Sequence, residues 1–186
     1  MLLNLFYKFY EKNSQKEITK ILLKILVKGS RKQKWLQFCG TKIGDGTKVT
    51  CNLDAFPEPY MVELGQKVYV SEGVSFMTHD GALSWMSRAL GYTDKRTDKI
   101  GKIVVKDNCF IGARAIIMQN VTIGSNCIIG MGAIVTKDVP DNSVVAGIPA
   151  KVVCTTEEFL EKHKDCTDFT CGWPYDKKRK YYENKL

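Results

Sequence analysis

Histidine is nearly absent from this 186-residue chain, which contains only His79 and His163. Two histidines cannot build a three-histidine zinc centre, and no metal is expected. The seven cysteines are odd in number and none falls at metal-ligand or paired spacing, so neither a zinc module nor a disulfide-stapled scaffold is implied. Free thiols in that number fit a reducing compartment, so the cytoplasm is the expected location. No apolar run is long enough to span a bilayer. Lysines interrupt every apolar stretch near the N-terminus and no small-residue cleavage site follows, so that region does not read as a secretory signal. The middle of the chain also lacks net charge: residues 35–150 carry eleven basic and eleven acidic side chains. A nucleic-acid-binding core would show a basic face, and none is expected here.

The excess charge of +8 is concentrated at one end, where residues 1–34 carry nine Lys/Arg and two Glu. Lys8, Lys12, Lys16, Lys20, Lys24 and Lys28 recur every fourth residue beside apolar stripes built from Leu2, Leu5, Phe6 and Phe9 and from Ile18, Ile21, Leu22, Ile25 and Leu26. That spacing predicts a helical arm, broken near Asn13, with a capping-box pattern at Ser14–Glu17. Such an arm can pack on the body, mediate oligomer contacts or lie on the anionic inner face of a membrane. At the other end, Thr155-Thr156-Glu157-Glu158 predicts a short helix through about Lys164, with His163 a solvated residue on it. The tail from Asp165 has no clear period.

Against this background one pattern stands out. Val105, Ile111, Ile117, Ile123, Ile129 and Val135 recur every sixth residue, and the residues four further on are Cys109, Ala115, Val121, Cys127, Ala133 and Val139. A period of six fits neither an α-helix nor a continuous strand, but fits a short strand and a corner, repeated. Leu64, Val70 and Phe76 share the phase upstream, with Val68 and Val74 at their four-on positions, and Ile43, Thr47, Val49 and Leu53 form an earlier fragment. Three hexads make one triangular turn of 18 residues, giving turns at 64–81, 105–122 and 123–140 and a partial one at 43–60. No hexad buries its apolar residue alone, so the turns must stack. Gly112, Gly124 and Gly130 follow the repeat aliphatic, where a side chain would crowd the corner or the backbone needs unusual dihedrals. The rhythm fails at Ala55–Met61, which holds two prolines, and across the polar insertion 82–104. A long insertion in a compact repeat is commonly functional.

With the run IGARAIIMQNVTIGSNCIIGMGAIVTKDVPDNSVVAGIPAKV at 111–152, the chain closely resembles the hexapeptide-repeat acyltransferases over residues 40–155. The branch it resembles is that of sugar and polysaccharide O-acetyltransferases, related to galactoside, maltose and xenobiotic acetyltransferases. The resemblance implies an all-β repeat, a left-handed parallel β-helix, here with an N-terminal helical arm and a short C-terminal helix. The expected organisation is arm 1–34, acyltransferase domain 35–154 and helix and tail 155–186. It further implies homotrimers with each active site between two neighbouring β-helices.

His79 lies in FMTHDG, at the end of the 64–81 turn and just before the insertion. Asp80 takes a four-on position and is the one charged residue there, a break in the pattern of the kind found at functional sites. Moving an acyl group from a thioester to a hydroxyl needs a base, and imidazole titrates in the right range. A carboxylate can hold its tautomer; Asp80 is one candidate, with Asp54 and Glu58 as rivals. The resemblance implies His79 as the general base, acetyl-CoA as donor and direct transfer to a sugar or polysaccharide hydroxyl. It also places Trp85, Arg88 and Tyr92 of the insertion near the acceptor or the neighbouring subunit.

The cofactor positions of the galactoside and maltose acetyltransferases map, by the same resemblance, onto Ala113, Met131, Thr136, Lys137 and Lys151. Met131 replaces a usual alanine, and Cys154 stands where some members have a second phosphate-binding arginine. Other acyltransferase chemistries remain open, with an amino sugar or serine as acceptor or an acyl-carrier protein as donor, as does a non-enzymatic β-helix scaffold. A zinc-dependent carbonic anhydrase on this repeat needs three histidines, which the motif lacks.

Overall fold

The computed structural model describes residues 9, 27, 29–166 and 168–185. Both amphipathic stretches of the N-terminal arm, and with them its expected contacts, fall almost wholly outside the described residues. The helix α1 (Ser30–Phe38) runs across the expected boundary between residues 34 and 35. It does so because Trp35 and Leu36 are buried, and Leu36 belongs to the main core. The ammonium of Lys32 donates to the carbonyls of Thr50 and Cys51 at 2.9 Å each, tying the helix to the first turn. A stacked repeat exposes its core at the first turn, and α1 covers that end.

From residue 42 the chain winds around three faces. The first turn contributes β1 (Lys42–Ile43) and β2 (Lys48–Val49), with 3-10 turns at Leu53–Ala55 and Pro59–Met61 in place of a third strand. The second has β3 (Val62–Leu64), β4 (Tyr69–Val70) and β5 (Ser75–Met77). An excursion follows, made of β6 (His79–Asp80), α2 (Ala82–Ala89) and β7 (Lys99–Ile100). The third turn is β8 (Ile103–Val105), β9 (Phe110–Ile111) and β10 (Ile116–Met118), and the fourth is β11 (Thr122–Ile123), β12 (Ile128–Ile129) and β13 (Ile134–Val135). Then β14 (Ser143–Ala146) joins the second face and β15 (Lys151–Thr155) pairs with it antiparallel.

Each face is a parallel sheet running up the stack: β1-β3-β8-β11, β2-β4-β9-β12-β14 and β5-β10-β13. The six-residue phase is therefore a register. Phe76, Ile117 and Val135 are Cα partners on the third face, as are Val70, Ile111 and Ile129 on the second. Every repeat aliphatic from Leu64 onward that shares the phase is buried, as are its small four-on partners through Val139. Thr47 is tolerated inside because its hydroxyl donates to the Gly65 carbonyl (2.6 Å) and accepts from the Val68 amide (3.0 Å). Leu53 is only partly buried; Cys51 and Phe56 fill the first turn instead. Burial pushes the Cys51 thiol up to about 12, so it stays protonated.

Glycine at 112 is required by space: a Cβ there would lie 2.6 Å from both the Ile129 carbonyl and the Met131 amide nitrogen. The corners use a second device. Asn108, Asn126 and Asn142 have φ of 58°, 58° and 59°, and their amides form a ladder, Asn108 Nδ2 to Asn126 Oδ1 (3.0 Å) and Asn126 Nδ2 to Asn142 Oδ1 (2.9 Å). Asparagine tolerates the left-handed region better than other side chains. Asn126→Ala removes both amide bonds and strains the corner, an expected loss of about 1–3 kcal/mol in urea denaturation. Asn126→Gly should lose less, because glycine keeps the φ; equal losses would show that backbone conformation is not part of the device.

The residues from Glu157 onward form a separate compact unit. Helix α3 (Thr156–His163) enters it, followed by a 3-10 turn at Lys164–Cys166 and α4 (Tyr175–Lys185). His163 is not simply solvated: its Nδ1 donates to the Phe159 carbonyl (2.7 Å) and its ring packs on Phe159. The tail that has no legible period is organised by Asp168. Its carboxylate accepts from Lys185 Nζ (2.6 and 2.7 Å) and the Tyr181 hydroxyl (2.9 Å), and these two hold its carboxyl below the ordinary range, Lys185 most.

Candidate active site

The excursion leaves the stack at the corner between the third and first faces. Thr78 is fully buried there, and its carbonyl accepts from the Gly101 amide (2.8 Å), which draws the two ends of the excursion together. The adjoining β6 and β7 pair antiparallel, His79 opposite Ile100 and Asp80 opposite Lys99. The excursion thus spans 79–102, three residues earlier at its start than the insertion read from phase alone. His79 is fixed by backbone pairing at the point where the scaffold ends.

The proline-rich break supplies its partner. Phe56 is buried against Phe76, ring centroids 4.8 Å apart. The Thr41 hydroxyl donates to the Pro59 carbonyl (2.8 Å). These two anchors bracket Glu58, whose Oε1 and Oε2 lie 3.0 and 2.9 Å from His79 Nδ1. The Thr78 hydroxyl donates to Oε2 of the same carboxylate. An ionised carboxylate only accepts, so Nδ1 carries the proton and Nε2 is left as the acceptor for a hydroxyl. Glu58 is largely shielded while the His79 side chain is 45% exposed, so the imidazole is the outer member of the pair.

Of the three carboxylates weighed as partners, the structure brings only Glu58 to the imidazole. Asp80 does not reach it: a side chain on the neighbouring strand position is turned away, and its Oδ1 accepts from the Ala82 amide (2.9 Å) at the start of α2. Asp54 is exposed in the 3-10 turn Leu53–Ala55 and does not line the cavity. An open cavity of about 620 Å³ lies over His79 and Glu58, walled by Tyr60, Trp85, Arg88 and Arg96 among others. Trp85 and Arg88 thus line the same cavity as His79, whereas Tyr92, 82% exposed, is not part of the wall. Sequence reasoning missed Tyr60, Arg96 and Lys99. The pairing of β6 with β7 brings 96–100 back to His79, and a hairpin closed across 18 intervening residues has no turn signature.

The residues mapped for the cofactor divide between two edges of the third face. Ala113 and Met131 stack on the edge shared with the second face, where the Gly132 amide donates to the Ala113 carbonyl (2.9 Å). Met131 is 78% exposed and a Cβ on Gly132 would meet nothing, so that edge is open. Lys151 lies nearby, opposite Ala146 on β15. Thr136 and Lys137, both exposed, follow β13 on the other edge, the one that carries His79 two turns below. Among the described residues no group of His, Cys, Asp or Glu is arranged to hold a metal ion.

The family described as "Bacterial transferase hexapeptide (six repeats)" matches residues 102–137, the uninterrupted part of the stack. Protein CapG of Staphylococcus aureus is 37% identical over 169 residues, covering 90% of this chain and 95% of CapG. The chain belongs to the hexapeptide-repeat acetyltransferase family. A maltose O-acetyltransferase from Clostridium difficile has the same fold, with TM-score 0.52 and 28% identity over 62% of this chain and 59% of that one. A hexapeptide-repeat acetyltransferase from Vibrio cholerae, complexed with acetyl coenzyme A, is similar in fold at TM-score 0.52 and 24% identity, covering 62% of this chain and 60% of its own. The chain therefore spans about three fifths of these solved hexapeptide-repeat structures. Of the third face, β10 and β13 lie within the matched repeat, whereas β5 and His79 lie outside it.

Proposed function

We propose that the protein transfers an acetyl group from acetyl-CoA directly to a hydroxyl of a sugar or surface polysaccharide. The observation that carries this reading is the Glu58–His79 pair, made through Nδ1, with His79 lining an open cavity. The acceptor oxygen attacks the thioester carbonyl carbon while His79 Nε2 takes its proton. Glu58 stabilises the imidazolium so formed. As the tetrahedral intermediate collapses, the C–S bond breaks and His79 returns the proton to the thiolate, giving CoA and the acetyl ester. Backbone amides at the corner are the candidate donors to the oxyanion.

The β-helix is left-handed and the active unit is a homotrimer. The division of the cofactor residues supports the trimer: a groove between two copies sets the His79 edge of one opposite the Ala113–Met131 edge of the next. In that groove Ala113 and Met131 hold the pantetheine arm through their backbone, and Thr136, Lys137 and Lys151 meet the phosphates. No described helix is long and apolar enough to cross a membrane. A cytoplasmic enzyme, held at the inner membrane face by its basic arm, suits a polysaccharide acceptor.

A thermal-shift series tests the donor. Acetyl-CoA at about a hundred times its Kd should add about 2.7 kcal/mol to the folded state, a rise of roughly 5–10 °C in Tm. CoA should raise it similarly. No rise with either, or a rise with acyl-carrier protein alone, overturns acetyl-CoA as donor.

A further inference from the structure

The wall of the His79 cavity has an unusual polar composition. Arg88 comes from α2, Arg96 from the returning limb and Lys99 from β7, so three cations from separate segments converge on one space. Among the described residues none of the three forms an ion pair, although elsewhere exposed cations find partners, as Lys42 and Lys102 do on Glu63. Three carboxylates share the wall, but two are committed: Glu58 to His79 and Thr78, and Asp80 to the Ala82 amide. Only Asp98 is uncommitted. Lys99 stands opposite Asp80 in the β6–β7 ladder without pairing with it.

A cavity shaped for a neutral sugar would present mixed donors and acceptors, and amide side chains supply both. No Asn or Gln lines this one, and the hydroxyls of Ser84 and Tyr60 are its neutral groups of that kind. Guanidinium and ammonium groups only donate, and the guanidinium fork matches the paired oxygens of a carboxylate or phosphate. Tyr60 and Trp85, 60% and 73% exposed, add flat apolar faces on which a sugar ring can rest. A cavity this open contributes through convergence of several charges, since a single exposed pair is worth little.

We propose that the acceptor is anionic, and that Arg88, Arg96 and Lys99 hold its carboxylate or phosphate while a nearby sugar hydroxyl meets His79. The inference rests on the acetyl-transfer reading and deepens it. Direct contacts between these exposed cations and an anionic acceptor are weakened by salt.

The test compares methyl glycosides of glucose and galactose with the corresponding methyl uronides and with UDP-glucose and UDP-galactose. CoA thiol release from acetyl-CoA gives kcat/KM for each. The best anionic acceptor should exceed its neutral counterpart by about tenfold at low salt, and that ratio should shrink at about 300 mM NaCl. Preference for uronides identifies a sugar carboxylate as the anion; preference for the UDP-sugars identifies a phosphate. In the Arg88→Ala/Arg96→Ala double variant the anionic-to-neutral ratio should fall toward one. Both side chains are exposed and outside the core, and circular dichroism checks the fold. A ratio near one in the wild type, with His79-dependent release from neutral glycosides, overturns this inference and leaves the acetyl-transfer reading standing. A wild-type preference that survives in the double variant overturns the assignment to these residues. Acetyl-CoA binding with no release on any sugar overturns the transfer reading, and this inference with it.

Discussion

Alanine at His79 is expected to lower acetyl transfer by about 10²–10⁴-fold, the range that a positioned general base contributes. The acetyl-CoA-dependent rise in Tm should persist, because the residues assigned to the cofactor lie on other turns of the stack. The geometry makes the effect large: a free alcohol is a poor nucleophile, and no other uncommitted neutral base lines the cavity among the described residues. Glu58→Gln is the companion experiment. Glutamine can still accept from Nδ1, yet it brings no charge to the imidazolium and loses one of the two oxygens that Thr78 and His79 share. A loss of about 10–100-fold is expected, smaller than for His79→Ala. CoA release at the wild-type rate in His79→Ala would end the general-base reading; an unchanged rate in Glu58→Gln would reduce Glu58 to a structural prop.

The largest stability effect is expected at Ile117. It is fully buried and stands in register between Phe76 and Val135 on the third face. In a narrow prism each turn inserts one large side chain per face, so no second layer can collapse into the gap. Ile117→Ala should cost about 2–5 kcal/mol, lowering Tm by roughly 5–15 °C for a chain of this size. Stacked turns are stabilised by their neighbours, so the damage should extend to the turns above and below. Hydrogen exchange read around 76 and 135 checks this. A loss below about 1 kcal/mol would mean that the stack relaxes around cavities and that its core is not close-packed.

The hexad phase made the stack legible because each repeat position has one environment, and Ile111 or Ile129 declares it by residue type alone. His79 was legible for the complementary reason, as polar chemistry where the phase stops. Glu58 was visible only as one of three carboxylates. Its selection depends on Phe56 packing against Phe76 from the preceding turn, a contact without local pattern. Arg96 and Lys99 were hidden because β7 reaches His79 through two short strands closed by a long limb. The helix α1 overran its expected end because Trp35 and Leu36 fit both a helix face and the core. The tail unit turns on Asp168 meeting Tyr181 and Lys185, residues 13 and 17 positions away, a spacing that no periodic reading detects.

Thr78 joins two systems. Its hydroxyl holds Glu58, its carbonyl seals the neck at Gly101, and its side chain belongs to the interior of the stack. The Glu58–His79 pair, with His79 at the first position of the excursion, is thereby tied to the scaffold, while Trp85, Arg88, Arg96 and Lys99 ride on the excursion beyond it. In evolutionary terms such a joint is permissive. Residues 82–98 can be rewritten without disturbing the Glu58–His79 pair, so divergence among relatives should concentrate there and spare Glu58, Thr78 and His79.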